Sequence, residues 1–343
     1  MSAGKADPAN ANYLLLSCLY ACLISGMAGC ATESGEGPVH HEFLEPLTEI
    51  TGAPAGMFPQ TSLRQSNPPM VPDFITLQRP AAMSARGNDI YFIDAGLHRI
   101  FHYDTMQQTL APFAASLPVN TGMNLLVAPD RTVYVTDPSH SQVLHFNWDG
   151  TQLPALASPG NLGHPVSVLV NEHNGRVLVA DRLFNQIVVF ENFGMMESIV
   201  KPQHVRSIAA MASGPDGIYI VDSLSRRIDV LWPNGTFRYS LGENLFNEPG
   251  LIAVSRSNFI FASDNFDHTI RVFHRTGNSD AIPKLVDEIG GSGVPAGEFG
   301  PDTFNEISGM AISEGLLYVS DGISGKIMVM TINPAALNKK GIK

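Results

Sequence analysis

The stretch NFIFASDNFDHTIRVFHR, residues 258–275, sets out the unit from which the chain is built. It consists of a short apolar run that ends in Asp264, a polar turn, and a second apolar run that alternates with polar residues. The same phrase occurs six times, and its closing aspartates are Asp94, Asp137, Asp181, Asp222, Asp264 and Asp321. A period of about 40–45 residues made of strand-like runs is typical of β-propeller blades. We therefore predict an all-β fold, a six-bladed β-propeller.

Each repeat divides into four short strands, as in an antiparallel blade. In the fifth repeat we predict an innermost strand at 251–255, followed by strands at 259–263, 269–274 and 284–289. Enrichment in β-branched and aromatic residues, with Gly, Asn and Asp between the runs, indicates these strands. The aspartate at the end of each second strand can accept hydrogen bonds from the turn that follows it, so we interpret it as structural.

The sixth repeat lacks an outer strand, because only PAALNKKGIK follows residue 333. An unpaired blade edge would be a template for aggregation. We predict that Phe43–Thr51 supplies the missing strand, so that the propeller spans residues 43–333 and a tail covers 334–343. The proline-rich segment 52–72 is expected to be irregular.

The last interval between aspartates, 57 residues long, contains a glycine-rich insertion. Within it the pattern from Gly293 to Phe299, followed by NEISGMAIS, resembles the NHL repeat, in which a Gly-rich turn and an aromatic residue precede the innermost strand. The resemblance covers about residues 80–333 and implies an NHL-type six-bladed propeller. Function does not follow from this fold, since propellers of this kind serve in binding and in catalysis.

The first thirty residues are typical of a targeting segment rather than of a fold. The apolar run Tyr13–Ile24 is shorter than the roughly 20 residues that a spanning helix needs. The residues before Cys30 resemble a bacterial lipobox, although Met27 stands where that family usually has leucine. The resemblance implies a signal peptide over 1–29, a lipid on Cys30, a flexible tether over 30–42 and, with Ala31 rather than Asp next, an outer-membrane destination. A cleaved but unlipidated peptide and an uncleaved anchor remain alternatives.

Composition excludes some classes of partner and cofactor. The formal net charge of −11 disfavours nucleic acid, whose phosphates require excess Lys and Arg. The three cysteines all lie in the first thirty residues, so there is no disulfide framework and no zinc-finger spacing. His40 and His41 lie in the tether and are interpreted as solvated residues. We expect a monomeric domain.

Candidate binding residues lie just before the innermost strands, where a propeller opens into its central channel. Counting back from the aspartates, these residues are Arg79, Thr121, His164, Arg206, Glu248 and Glu306. In one interpretation the two arginines neutralise the two glutamates and the channel holds no ligand. In another, the six side chains bind a small polar or anionic ligand.

The leading hypothesis is a non-catalytic, lipid-anchored envelope module that binds a protein, peptide or glycan, without a cofactor. The alternative is an axial-site lyase or lactonase that holds Ca²⁺ or Zn²⁺ on the propeller axis. Such sites need several His or carboxylate ligands, and His164 is the one histidine in the predicted ring.

The lipobox interpretation predicts that Cys30→Ser releases the protein from membranes, because the thiol is the expected site of acylation. Fractionation of cells, with immunoblotting of the membrane and soluble fractions, measures this. Cys18→Ser is the matched control, since Cys18 leaves with the signal peptide. A Cys30→Ser protein that stays uncleaved in the membrane fraction would show instead that the apolar run is an anchor.

Overall fold

The computed structural model describes residues 43–56, 73–114, 117–120, 122–191, 194–275, 281–291 and 303–334. These ranges contain 26 β-strands and no helix, so no described helix is long and apolar enough to cross a membrane. The strands form six four-stranded antiparallel sheets, which confirms the six-bladed propeller. The predicted signal peptide, Cys30, the tether, Thr121, the Gly293–Phe299 motif and residues 335–343 lie outside the described ranges.

Three strands precede the first complete blade, and they are β1 (Leu44–Ile50), β2 (Gly52–Pro54) and β3 (Phe74–Thr76). Each of the next five blades uses four consecutive strands, in chain order from one edge of the sheet to the other. Blade one is β4 (Pro80–Arg86), β5 (Asp89–Asp94), β6 (Arg99–Asp104) and β7 (Thr109–Phe113). Blade two is β8 (Leu125–Val127), β9 (Val133–Asp137), β10 (Gln142–Phe146) and β11 (Gln152–Ala157). Blade three is β12 (Pro165–Val170), β13 (Val177–Asp181), β14 (Gln186–Phe190) and β15 (Met196–Val200).

The second half of the ring follows the same plan. Blade four is β16 (Ile208–Gly214), β17 (Gly217–Asp222), β18 (Arg227–Leu231) and β19 (Phe237–Leu241). Blade five is β20 (Pro249–Val254), β21 (Ile260–Asp264), β22 (Thr269–His274) and β23 (Lys284–Gly290). Blade six is β24 (Ile307–Ser313), β25 (Leu316–Asp321) and β26 (Lys326–Ile332), with β1 as its fourth strand. The strands predicted for blade five agree with these bounds to within two residues.

The first strand of every blade, from β4 to β24, lines a central channel. The second strand of every blade runs back toward the start of the first strand and ends there in the repeated aspartate. The turns after the aspartates therefore lie on the same face as the segments that lead into the inner strands. We call this face the mouth face, and the residues just before each inner strand the approach segment.

The core consists of six apolar layers, each between two neighbouring blades. The layer between blades one and six, for example, joins Phe92 and Phe101 to Tyr318 and Ile327. Because apolar residues cover both faces of the inner strands, burial rather than alternation marks these strands in the sequence.

The N-terminal strand closes the ring as predicted. Strand β1 pairs antiparallel with β26, from Leu44 opposite Ile332 to Ile50 opposite Ile327. Phe43, just before it, is fully buried in the layer between blades five and six. The outer edge of blade six is thereby covered, and the two ends of the described chain are joined in one sheet.

The segment after β1 adds a second connection that the sequence did not predict. Strand β2 lies at the start of the stretch expected to be irregular, and it pairs with β3, which follows that stretch. Ala53 of β2 and Ile75 of β3 pack into the layer between blades six and one. Ala55 then bridges to Leu110 in β7, the outer strand of blade one. The N-terminal segment thus spans the seam between the last blade and the first.

Deletion of residues 43–51 is expected to unfold the domain or to lower its melting temperature steeply. The deletion exposes the edge of β26 and removes two fully buried side chains, each worth about 2–5 kcal/mol on truncation, against a total of about 5–15 kcal/mol for a domain. Thermal and chemical denaturation followed by circular dichroism measure this. Leu44→Ala and Leu47→Ala form a matched pair, since the two side chains are 1% and 60% exposed. An unchanged melting temperature for the deletion would contradict the closing role.

Candidate functional site

A buried aspartate organises the mouth face of each blade. Asp222 accepts hydrogen bonds from the backbone N–H groups of Arg206 (2.7 Å) and Ser207 (3.1 Å) in the approach segment. It also accepts from the N–H groups of Leu224 and Ser225 in the turn, both at 3.1 Å. One carboxylate therefore clamps the turn to the approach segment. All six aspartates bond the backbone of their turns, which confirms the structural interpretation.

Five of the six aspartates also hold the approach segment. The exception is Asp137 in blade two, which lies 2.7 Å from Nδ1 of His140 and accepts from the Gln142 side chain. In that blade Thr136 takes over part of the clamp, because its hydroxyl accepts the N–H of Asn124 at 2.7 Å. Blade two is thus the least regular part of the mouth face.

Blade five strengthens its clamp with a cation. Burial alone would raise the pKa of Asp264, but the backbone N–H groups of Asn247 and Glu248 and the guanidinium of Arg271 lower it below its ordinary value of 3.8. Arg271 Nη1 lies 2.7 Å from the carboxylate. The stability that this carboxylate contributes is therefore complete above that ordinary value and is lost as the pH falls through the lowered pKa.

The clamps fix which approach residues are equivalent. In each case the second N–H bonded by the aspartate belongs to Arg79, His164, Ser207, Glu248 and Glu306. Arg79, His164, Glu248 and Glu306 are therefore equivalent in position, whereas the equivalent residue of blade four is Ser207 rather than Arg206. There Arg206 occupies the preceding position, which Asn305 holds in blade six.

The charged approach residues are only partly neutralised. Arg79 and Glu306, from neighbouring blades, form a salt bridge with Nη2 3.0 Å from Oε1. Within the described residues, Arg206, Glu248 and His164 make no salt bridge through their side chains, and Arg206 and Glu248 are exposed. One half of the predicted internal pairing thus exists, and the other half leaves charged groups open to solvent.

The channel below the mouth is narrow, with a volume of about 230 Å³, and is lined by the inner strands. Its polar side chains hold the blades together: Ser84 accepts the N–H of Val127 at 3.0 Å and Ser167 that of Met211 at 3.2 Å. Among the described residues, no group of three or more His, Cys, Asp or Glu is placed to hold a metal ion. The described part of the axis thus offers no metal-ligand set, and these two buried serines are already used between blades.

Two histidines outside the mouth have a packing role. His102 faces Tyr91 and His145 faces Tyr134 as direct cross-strand neighbours, with ring centroids 4.7 and 4.2 Å apart. His102 also lies within hydrogen-bond distance of a carboxylate, with Nε2 2.7 Å from Oδ1 of Asp89. Burial lowers the pKa of His145, which favours its neutral form against the tyrosine ring.

The turn tips of the mouth face were not predicted from the sequence. Two positions after the clamping aspartate, four consecutive blades carry an exposed apolar side chain: Leu183, Leu224, Phe266 and Ile323. Two exposed arginines, Arg182 and Arg226, lie in the same turns of blades three and four. These residues can be found by aligning the six repeats on their aspartates, but the sequence does not show that their side chains are exposed to solvent.

Comparisons with known proteins add the architecture alone. No protein-family model and no curated protein sequence matches the chain. Among solved structures, a streptogramin B lyase is 12% identical with a TM-score of 0.56, and the match covers 76% of this chain and 95% of that one. Virginiamycin B lyase from Staphylococcus aureus is 10% identical at 0.55, covering 75% and 96%. A gluconolactonase from Xanthomonas campestris is 12% identical at 0.55, covering 84% and 99%. At these identities the likeness establishes the six-bladed propeller fold and no chemistry.

Asp222→Asn tests the clamp. The amide keeps the volume of the side chain but retains one accepting oxygen against four N–H donors, so we expect a loss of about 3 kcal/mol in the free energy of unfolding. Urea denaturation measures the change. Asp130→Asn is the control, because that exposed aspartate bonds only its own turn and should cost less than about 1 kcal/mol. Equal losses of unfolding free energy in the two variants would show that the clamp contributes no more to stability than an ordinary surface turn.

Proposed function

We propose that the chain is a recognition module of the bacterial envelope that binds a protein, peptide or glycan through its mouth face without catalysis. In this proposal the propeller is of the NHL type, Cys30 carries a lipid, and the lipid anchors the domain to the outer membrane. The observation that carries the proposal is the contrast between the two regions around the axis. The buried serines of the channel, Ser84 and Ser167, are already used between blades. At the mouth, by contrast, Arg206, Glu248 and His164 have no salt-bridge partner among the described residues.

The rigidity of the mouth supports a binding role. In five blades the backbone of the approach segment is fixed by a buried carboxylate, and the turn next to it is fixed by the same group. A surface whose backbone is already ordered loses little conformational entropy when a partner binds. Side chains that differ from blade to blade on this common frame can be specific for one partner.

The opposite mouth of the channel carries an ion pair. There Arg86 of blade one reaches Glu172, in the turn after β12 of blade three, with Nη1 3.1 Å from Oε1. Exposed ion pairs of this kind contribute at most about 1 kcal/mol. The pair leaves this end of the channel without an open charge on either residue, so these two residues provide a matched control for the mouth face.

The rival proposal is a lyase or lactonase, as in the structural neighbours, which bear those activities in their own names. For this chain it requires a reactive site around His164, since the axis lacks a metal-ligand set among the described residues. His164 donates its backbone N–H to Asp181 at 2.7 Å, and no described acid pairs with its ring. Catalysis would therefore require residues that the described structure does not supply, whereas binding requires only the residues already exposed at the mouth face.

Capture from detergent extracts of bacterial envelopes, using the full chain, tests the proposal. A partner that binds through the mouth is expected to be lost from Arg206→Ala/Glu248→Ala and retained by Arg86→Ala/Glu172→Ala, as measured by quantitative mass spectrometry of the bound fraction. Turnover of a streptogramin B or of gluconolactone by the purified chain, abolished by His164→Ala, would instead establish the enzyme. Equal loss of the partner from both double variants would remove the mouth face from the proposal.

A further inference from the structure

Four exposed apolar side chains stand at one repeated position on the mouth face. Leu183, Leu224, Phe266 and Ile323 lie two residues after the clamping aspartates of blades three to six and are 66%, 62%, 68% and 66% exposed. We call these four residues the apolar crescent. Because blades three to six are consecutive, the crescent occupies one side of the ring.

The fold does not require apolar residues at this position. Blades one and two carry Gly96 and Ser139 there and form the same turn. In blades four and five the clamping aspartate bonds the backbone N–H of this position, in Leu224 and Phe266, both at 3.1 Å. In blades three and six it bonds the N–H of the next residue, in Phe184 and Ser324. The side chain at this position therefore points outward from an ordered turn. Because it contacts water, it adds no packing energy to the fold. Exposed apolar groups clustered in this way are typical of an interaction surface.

Positive charge lies next to the crescent in blades three and four. Arg182, Arg206 and Arg226 are exposed, and within the described ranges none of them forms a salt bridge with a carboxylate. Nε of Arg182 donates to the carbonyl oxygen of Ile208 at 3.2 Å, which places it beside the approach segment that holds Arg206. In a chain of net charge −11 this is a local excess of cations.

The acids of the same face are mostly occupied. Asp267 bonds Arg271 and Glu306 bonds Arg79, whereas Glu248 is open. An occupant therefore meets apolar side chains along the crescent, cations at the end formed by blades three and four, and one unpaired carboxylate in blade five.

We propose that the apolar crescent and these three arginines dock a segment of a partner protein that combines apolar side chains with Asp or Glu. This deepens the proposed function and rests on it, since it names the chemistry of the partner at the mouth face. A flat anionic bilayer fits less well, because the unpaired carboxylate of Glu248 would be pressed against lipid phosphates of like charge. A second copy of the chain fits less well, because its own mouth face offers the one unpaired carboxylate of Glu248 to three arginines.

Fluorescence anisotropy with designed peptides tests the docking chemistry. The protein is the full chain carrying Cys30→Ser, and the probe is a short labelled peptide that alternates leucine and glutamate. Matched peptides replace leucine by serine or glutamate by lysine. We expect the Leu/Glu peptide to bind at least about tenfold more tightly than either, and its affinity to fall with added salt.

Variants of the protein locate the binding. Leu183→Ser/Leu224→Ser should weaken the Leu/Glu peptide about tenfold, and Arg206→Ala/Arg226→Ala should weaken it and flatten its salt dependence. Met106→Ser and Arg256→Ala, exposed residues in turns away from the mouth face, are the controls and should bind as the parent does. Unchanged melting temperatures show that the surface substitutions leave the fold intact.

Several results would overturn the proposal. These are equal binding of the three peptides, crescent variants that bind as tightly as the parent, crescent-dependent binding to phosphatidylglycerol vesicles, or crescent-dependent dimers in light scattering. If an envelope partner is lost with Arg206→Ala/Glu248→Ala but retained by the crescent variants, the crescent proposal alone is wrong and the proposed function stands. Turnover of a lactone or streptogramin would sink the proposed function whatever the peptides do.

Discussion

The buried carboxylate at the end of each second strand is the constraint on which the mouth face depends. A carboxylate out of contact with water is stable only if its hydrogen bonds are complete. In five blades the turn and the approach segment both present N–H groups to it, and in blade two the side chains of His140 and Gln142 stand in for the approach segment. The six turns share one backbone shape as a result: the residue four positions after the aspartate has positive φ in every blade, at His98, Ser141, Asn185, Arg226, His268 and Gly325. This conformation is uncommon for residues other than glycine, and five of the six positions adopt it without glycine. The frame of the mouth is therefore set by hydrogen bonding, and the side chains on it are free to vary.

The seam between blades six and one carries the other constraint, because the ring must close on a sheet assembled from both ends of the domain. Three serine hydroxyls of blade six donate to carbonyl oxygens of β4 and the turn after it: Ser308 to Pro80 at 2.7 Å, Ser320 to Ala81 at 2.9 Å and Ser313 to Gly87 at 2.9 Å. Gly309 makes this close approach possible, since a β-carbon there would lie 2.3 Å from the carbonyl oxygen of Ala81. With β1 on the outer edge and the bridge at Ala55, the seam is tied at the axis and at the rim.

The sequence predicted the fold well because the signals it relies on are local and repeated. The aspartates mark the ends of the second strands, and the missing outer strand of blade six follows from counting. The approach residues were harder to predict, because the turn between the first two strands differs in length from blade to blade. In blade one Arg86 pairs with Asp89 across this turn, whereas in blade three Val170 pairs with Val177. The inner strands also contain a β-bulge in five blades and no polar residue that marks their register. Counting back from Asp222 therefore stopped at Arg206 instead of Ser207.

The crescent lay in the repeat alignment but could not be recognised there, since a leucine in a turn can equally well fold over the core. Leu97, one position further along the turn of blade one, does so and packs against the layer between blades six and one. The difference lies in which backbone position the clamp turns outward, and that depends on hydrogen bonds between segments some 16 residues apart. A repeat protein thus separates two kinds of information. The repeated aspartate fixes the backbone of the turn, and the variable residue after it determines which side chain is exposed on the mouth face. In the proposed function, that variable residue determines what a partner contacts.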